Sequence, residues 1–146
     1  MIIRKMTNSD IETVAQIEKE CFVDPWSVDT LSQSLENECY DYAVLVFNDE
    51  IIGYFCMHTL FDTSELFRVA VLNAYRRKGY GLLLIEKVLE IAREKGAEHI
   101  FLEVRAKNLS AIALYEKVGF IKYGERANYY GGGEDAYLYS FEIGGV

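Results

Sequence analysis

The segment Arg76-Arg77-Lys78-Gly79-Tyr80-Gly81 combines three cationic side chains with two glycines. It follows a β-rich run and precedes a strongly helical one, so its backbone amides form the open N-terminus of a helix. Unpaired amides and the helix dipole favour an anion, and glycine permits close approach of the backbone to a ligand. The pattern predicts a phosphate site, although a solvated basic turn would have the same composition. It matches neither the P-loop nor the dinucleotide-binding glycine fingerprint.

Hydrophobic periodicity predicts the elements that must position this turn. Their order along the chain is β-α-α-β-β-β-α-β-α-β-β, which indicates an α/β fold with a mixed sheet. Ser9 and Glu12 form a predicted capping box at the start of the first helix. Residues 65–71 are a predicted strand with Phe67, Val69 and Val71 on one face. The helix after the basic turn has apolar residues at helical spacing.

The size and composition of the chain set the broad class. Its 146 residues, 51% of them hydrophobic, suffice for one domain over residues 1–146. No apolar run approaches the roughly 20 residues that span a bilayer, and no secretory signal is apparent, so a cytoplasmic protein without membrane contact is expected. The three cysteines are odd in number, and with the two histidines they show no zinc-site spacing. We expect no metal.

The formal net charge of −8 opposes general binding to nucleic acid, which requires a basic surface. An acidic surface usually serves solubility, but it also suits a cationic protein partner. Charge by itself leaves these two interpretations open.

Two motifs together resemble the GNAT N-acetyltransferase family. The first is Arg76-x-x-Gly79-x-Gly81, and the second is Asn108 followed by Ala111-Ile112-x-Leu114-Tyr115-x-x-x-Gly119-Phe120. Their order and spacing match, and with the predicted elements the likeness covers nearly the whole chain. The resemblance implies an acetyl-CoA-dependent N-acetyltransferase. It also implies a mixed, mostly antiparallel central sheet flanked by about four helices.

Within that family, four segments look most like the ribosomal-protein-alanine N-acetyltransferases, which acetylate the amino terminus of a small ribosomal subunit protein. These segments are Phe22–Trp26, Leu102–Arg105, Asn128–Tyr130 and Gly133–Ala136. The resemblance therefore implies a protein N-terminus as acceptor, in particular the N-terminal alanine of a basic ribosomal protein. A small-molecule amine acetyltransferase and a non-catalytic acyl-CoA-sensing module are the alternatives.

The resemblance also assigns roles to individual residues. Glu103 matches the general base and Tyr115 the general acid. Coenzyme contacts are expected from Val69, Ala70, Val71, Arg76, Arg77, Lys78, Gly79, Tyr80, Gly81, Leu82 and Asn108. The acceptor groove is expected to include Trp26, Tyr129, Tyr130 and Asp135.

Several of these assignments have structural alternatives. Glu103 could instead pair with Arg105 or solvent, and Tyr115 could be a core aromatic residue on an amphipathic helix. Backbone amides near Val71 are expected oxyanion donors if a β-bulge distorts the strand there. Arg68 and the dipeptide Leu72-Asn73 depart from the family pattern, on the side of the strand that faces the substrate.

Overall fold

The computed structural model describes residues 1–144, so positions 145 and 146 of the predicted domain lie outside the described part. The strands are β1 (Ile2–Lys5), β2 (Tyr40–Phe47), β3 (Glu50–Leu60), β4 (Thr63–Val71), β5 (His99–Arg105), β6 (Ile121–Arg126) and β7 (Ala136–Glu142). The helices are α1 (Ile11–Cys21), α2 (Val28–Leu35), α3 (Tyr80–Glu94) and α4 (Leu109–Val118). Among residues 1–144, none of the helices has the length and apolarity needed to cross a bilayer.

All seven strands form one sheet in the spatial order β1-β2-β3-β4-β5-β7-β6. The β4–β5 pair is parallel, and the other five neighbouring pairs are antiparallel. The structure confirms the predicted order of elements and the mixed, mostly antiparallel sheet.

Two apolar cores lie on opposite faces of the sheet. On one face, α3 and α4 pack over the strands through residues such as Leu84, Ile85 and Val88. On the other face, α1 and α2 pack over β2 to β4, with Val14 and Leu31 fully buried. Beyond β4 this second face carries partly exposed and exposed side chains, so half of it is open to a ligand.

The first helix begins with a different cap from the predicted one. A 3-10 turn over Asn8–Asp10 precedes α1, and the N–H of Thr7 donates to the Asp10 carboxylate at 2.8 Å. Thr7 and Asp10 therefore close the capping box, and the prediction of Ser9 and Glu12 was wrong by two residues. The Arg4 guanidinium selects this register because it forms two hydrogen bonds to Asp10, of 2.8 and 2.9 Å.

A β-bulge interrupts β4. The register with β3 slips by one residue at Phe67, which therefore opposes no residue of β3. The slip turns Phe67 away from the face that Val69 and Val71 share, and 40% of Phe67 is exposed. The prediction that these three residues share one face was wrong, and the expected bulge near Val71 lies at Phe67 instead.

The bulge coincides with the point at which two parallel strands separate. Residues 63–66 of β4 pair with residues 99–102 of β5, and beyond them β4 pairs only with β3 while β5 continues along β7. A wedge thus opens between β4 and β5 in the middle of the sheet. On β3, Gly53 allows β4 to lie close, because a Cβ at this position would be 2.6 Å from the carbonyl oxygen of Ala70.

Candidate active site

The wedge exposes one backbone edge of β4. Leu72 N–H donates to the Ile52 carbonyl at 2.9 Å, and hydrogen-bonded pairs alternate along an antiparallel ladder. By this alternation Ala70 directs its backbone groups to β3, whereas Val69 and Val71 direct theirs into the wedge. An extended ligand can pair with such an edge as an added strand would.

The basic turn after β4 has a backbone suited to an anion. Arg77 and Gly79 both have left-handed conformations, with φ of 64° and 84°, and they aim the chain into α3. No side chain of the described residues caps the first turn of α3, so its N–H groups at Tyr80, Gly81 and Leu82 stay open to a ligand.

The two arginines of this turn differ in their surroundings. Arg76 folds back, and its Nε donates to the Val71 carbonyl at 2.9 Å, so Arg76 closes the end of β4. Its neighbour Arg77 is exposed, as is Lys78. Arg77 and Lys78 are consequently the cations best placed to meet a phosphate.

The two glycines of the turn are required for different reasons. A Cβ at Gly79 would meet nothing within 4 Å, so the positive φ is what requires glycine there. A Cβ at Gly81 would lie 3.1 Å from Cδ2 of Leu114, so Gly81 lets α3 approach α4. Gly81 thus brings the basic turn close to the helix that carries Tyr115.

Helix α4 holds the predicted acid in an apolar setting. Asn108, an exposed residue that follows β5, is its N-cap and accepts a 3.3 Å hydrogen bond from the N–H of Ala111. Tyr115 is 6% exposed, and its ring packs 5.7 Å from that of Phe120. Burial, with a smaller contribution from Tyr130, raises the pKa of Tyr115 above its usual range, so the phenol keeps its proton at neutral pH.

A cavity of about 640 Å³ lies on the open face of the sheet, at the separation of β4 and β5. It brings together four of the predicted site residues, Glu103, Trp26, Tyr129 and Tyr130. The rest of its lining is Glu65, Leu66, Phe67, Arg68, Phe101, Leu102, Tyr123 and Arg126.

Glu103 lies on a wall of this cavity that water reaches. Its side chain is 34% exposed, and its Oε1 lies 3.6 Å from Nη2 of Arg126. Glu103 is therefore partly open to solvent. The alternative pairing with Arg105 is not found, because Arg105 binds Glu134 at 2.7 Å.

Tyr130 connects the two predicted catalytic residues. Burial first, and the Glu103 carboxylate second, raise the pKa of Tyr130, and Tyr130 in turn contributes to the raised pKa of Tyr115. The Arg105 guanidinium stacks 4.0 Å from the Tyr130 ring, which fixes the ring in place. The phenol of Tyr130 is thus coupled electrostatically to both predicted catalytic residues.

Asp135 is not part of the cavity lining among residues 1–144. Its Oδ1 accepts the N–H of Asn128 at 2.8 Å, and its carbonyl accepts the N–H of Ala106 at 3.0 Å. Asp135 therefore shapes the loop between β6 and β7 that carries Tyr129 and Tyr130. The predicted direct contact of Asp135 with an acceptor stays a prediction.

A buried charge cluster behind the cavity escaped sequence analysis. Glu18 is fully buried, and its Oε1 accepts the backbone N–H of Trp26 at 2.7 Å. Nη2 of Arg68 lies 3.2 Å from the same oxygen, and the Tyr54 hydroxyl donates to Oε2. A signal was available, because Glu18 falls on the apolar stripe of α1, where a carboxylate demands a partner.

Arg68, which departs from the family pattern, has a structural role in this cluster. Its guanidinium stacks 4.0 Å from the ring of Phe22 and 4.6 Å from that of Trp26, and it donates to the Asp24 carbonyl at 2.8 Å. Arg68 thus fastens the loop between α1 and α2 to β4. This loop forms one wall of the acceptor cavity.

Comparison with known proteins gives a family match over most of the chain. The sequence model of the acetyltransferase (GNAT) family matches residues 11–120. A [ribosomal protein bS18]-alanine N-acetyltransferase from Haemophilus influenzae is 39% identical over 139 residues, which are 92% of this chain and 94% of that protein.

Solved structures agree with this match. The crystal structure of the ribosomal-protein-S18-alanine N-acetyltransferase from Escherichia coli superposes with a TM-score of 0.90 at 32% identity, covering 97% of this chain and 93% of that one. A Salmonella typhimurium structure with acetyl-CoA has a TM-score of 0.86 at 20% identity, covering 98% of this chain and 94% of that one, a likeness of fold alone.

Proposed function

The chain belongs to the acetyltransferase (GNAT) family, and from this premise we propose that it acetylates the α-amine of a protein N-terminus. It is an acetyl-CoA-dependent N-acetyltransferase. The proposed acceptor is the N-terminal alanine of a small ribosomal subunit protein, as the names of the relatives suggest. Because such an acceptor is made in the cytoplasm, the proposed location is cytoplasmic.

The observation that carries the proposal is the cavity around Glu103. Its volume of about 640 Å³ and its aromatic walls, Trp26, Tyr129 and Tyr130, suit an unblocked chain end. It opens beside the wedge where the strand edge of β4 is free. An amine bound there would be next to a thioester held along that edge.

The coenzyme side fits acetyl-CoA, which supplies the acetyl group as a thioester. We assign Val69 and Val71 to the pantetheine arm through their backbone groups. The amides that begin α3, with Arg77 and Lys78, would hold the pyrophosphate. Asn108 would contact the coenzyme from the N-terminus of α4.

In the proposed reaction Glu103 accepts the proton that the amine loses when its nitrogen attacks the thioester carbonyl. An α-amine has a pKa near ~8, so a modest base suffices at cellular pH. The exposed setting of Glu103 allows this proton to pass directly or through one water. Arg126, 3.6 Å away, would help to orient this carboxylate.

Tyr115 assists the bond cleavage that follows, in which the sulfur leaves with the electron pair of the carbon–sulfur bond. Burial raises the pKa of Tyr115, so the phenol is still protonated when the sulfur leaves, and it donates a charge-assisted hydrogen bond to the departing thiolate. The amides at the Phe67 bulge, which faces the cavity, replace those near Val71 as the proposed oxyanion donors.

Coenzyme release measured with a panel of amines tests the proposal. Peptides with a free N-terminal alanine should be acetylated faster than blocked peptides that contain lysine and faster than polyamines. Faster turnover of polyamines would support a small-molecule acceptor. Coenzyme binding without turnover of any amine would indicate an acyl-CoA sensor.

A further inference from the structure

The cavity contains a carboxylate that the proposed mechanism does not use. Two glutamates line it, and one of them, Glu103, lies 3.6 Å from Arg126. The other, Glu65, is exposed, and no ion pair or side-chain hydrogen bond engages it within residues 1–144. The arginines of the lining are already committed, Arg126 to Glu103 and Arg68 to buried Glu18.

Aromatic residues neighbour Glu65 in the sheet and in the cavity lining. Phe101 is its register partner on β5, and exposed Phe67 is two positions further along β4. The Tyr123 ring lies 5.8 Å from that of Phe101. A carboxylate among ring faces is a setting that favours a guanidinium or ammonium group, since both the charge and the rings attract a cation.

The sheet register sets the distance between the backbone positions of Glu65 and the proposed base, Glu103. Glu65 is opposite Phe101, and Glu103 follows two residues later on the same face of β5. With strands about 4.8 Å apart and about 3.3 Å per residue, the two Cα atoms are separated by about 8 Å. An extended peptide covers that distance in roughly two residues.

From this juxtaposition we infer that Glu65 is a specificity-determining residue, which binds an arginine or lysine side chain at the second or third position of the acceptor. The inference rests on the proposed function, because it places the terminal amine at Glu103. It gives the acidic chain, with its net charge of −8, a defined contact for a basic protein end.

Steady-state kinetics with matched peptides tests the inference. Every peptide begins with alanine, and a single arginine stands at position two, three or six, or is replaced by glutamine. Glu65→Gln removes the charge and keeps the shape. It should lower kcat/KM about tenfold, through KM, for the peptide with arginine at position two or three, a change that corresponds to about 1.4 kcal/mol. The peptide with arginine at position six and the neutral peptide should be unaffected.

Two variants complete the design. Glu65→Lys should reverse the preference, so that the glutamine peptide is favoured over the peptide with arginine at position two or three. Glu86→Gln makes the same charge change on an exposed position of α3, on the other face of the sheet, and should change none of these rates.

Equal kcat/KM losses for neutral and arginine peptides in Glu65→Gln would show a structural role and overturn the inference. So would wild-type kinetics on all peptides. Failure of the proposed function is distinguishable, because the wild-type enzyme would then acetylate none of the peptides, whatever their charge.

Discussion

The two sides of the candidate active site are built differently. The proposed coenzyme side offers mainly backbone, namely the edge of β4 at Val69 and the N–H of Val71, together with the uncapped amides that begin α3. The acceptor side offers side chains, held by the buried pair of Glu18 and Arg68. A backbone site tolerates varied side chains and serves one invariant coenzyme, whereas a side-chain site can be changed to suit a new acceptor.

The largest expected effect concerns Tyr115, the side chain proposed to donate to the leaving sulfur of the coenzyme. Tyr115→Phe keeps the packing against Phe120 and deletes the proton, so kcat should fall by about 10² to 10⁴-fold. Acetyl-CoA affinity and the KM for a peptide should stay close to wild type. The control is Tyr137→Phe, which makes the same substitution at a tyrosine of β7. A wild-type kcat in Tyr115→Phe would leave Tyr115 with packing alone.

Replacing Arg68 should impair the acceptor side and spare the coenzyme side. Arg68→Met leaves Glu18 buried without its cation, so the free energy of unfolding should fall by about 3 kcal/mol. The KM for a peptide should rise as the loop that carries Trp26 loosens, while acetyl-CoA affinity measured by calorimetry should hold. Adding Glu18→Gln should recover part of the stability, as denaturant titration would reveal. An equal loss of coenzyme affinity would contradict the division into two sides.

The glycine of the basic turn provides the reverse test. Gly79→Ala meets no atom within 4 Å but places a side chain at φ +84°, so the turn should relax and acetyl-CoA affinity should fall about tenfold. The KM for a peptide should be unchanged. Gly96→Ala is a matched control, since Gly96 has φ +79°, equal open space and a position at the other end of α3. If both variants lowered acetyl-CoA affinity equally, the local backbone of the turn would not be what binds the coenzyme.

The smallest expected effect is on the stability of the fold at acidic pH. It involves Asp10 at the start of α1, the helix that carries Glu18. Arg4 lowers the pKa of Asp10 from its ordinary value of 3.8 to about 2. A lowered folded-state pKa stabilises the fold above the unfolded value, and this contribution is lost as pH falls from about 4 through about 2. Thermal melts of Asp10→Asn should therefore show a lower midpoint at pH 6 and a shallower decline below pH 4. If the thermal midpoint of the variant fell with pH as steeply as that of the wild type, Asp10 would not contribute to the loss of stability in acid.

Local patterns predicted the elements and the turn that form the proposed coenzyme side. Apolar periodicity fixes the element order, and a glycine turn between strand and helix is visible within six residues. The bulge at Phe67 was not predictable in this way, because it is a slip between two strands and leaves no local pattern. Its consequence was a wrong face for Phe67 and a wrong position for the expected bulge.

The acceptor side was predicted less completely because its contacts are distant in sequence. Tyr54 and Glu18 are 36 positions apart, and Arg68 and Asp24 are 44 apart. Family resemblance supplied Trp26, Tyr129 and Tyr130, which do line the cavity. It could not supply Arg68, which departs from the family pattern.

The most direct test offers the enzyme both kinds of amine in one molecule. A peptide with a free N-terminal alanine and an internal lysine is incubated with acetyl-CoA at pH 7.5, and tandem mass spectrometry locates the acetyl group. With amine pKa values near ~8 and ~10.4, the neutral nucleophile is on the order of a hundredfold scarcer for lysine, and the cavity should widen that gap. The acetyl group is expected on the alanine α-amine. Acetylation of the lysine at an equal or greater rate would contradict it.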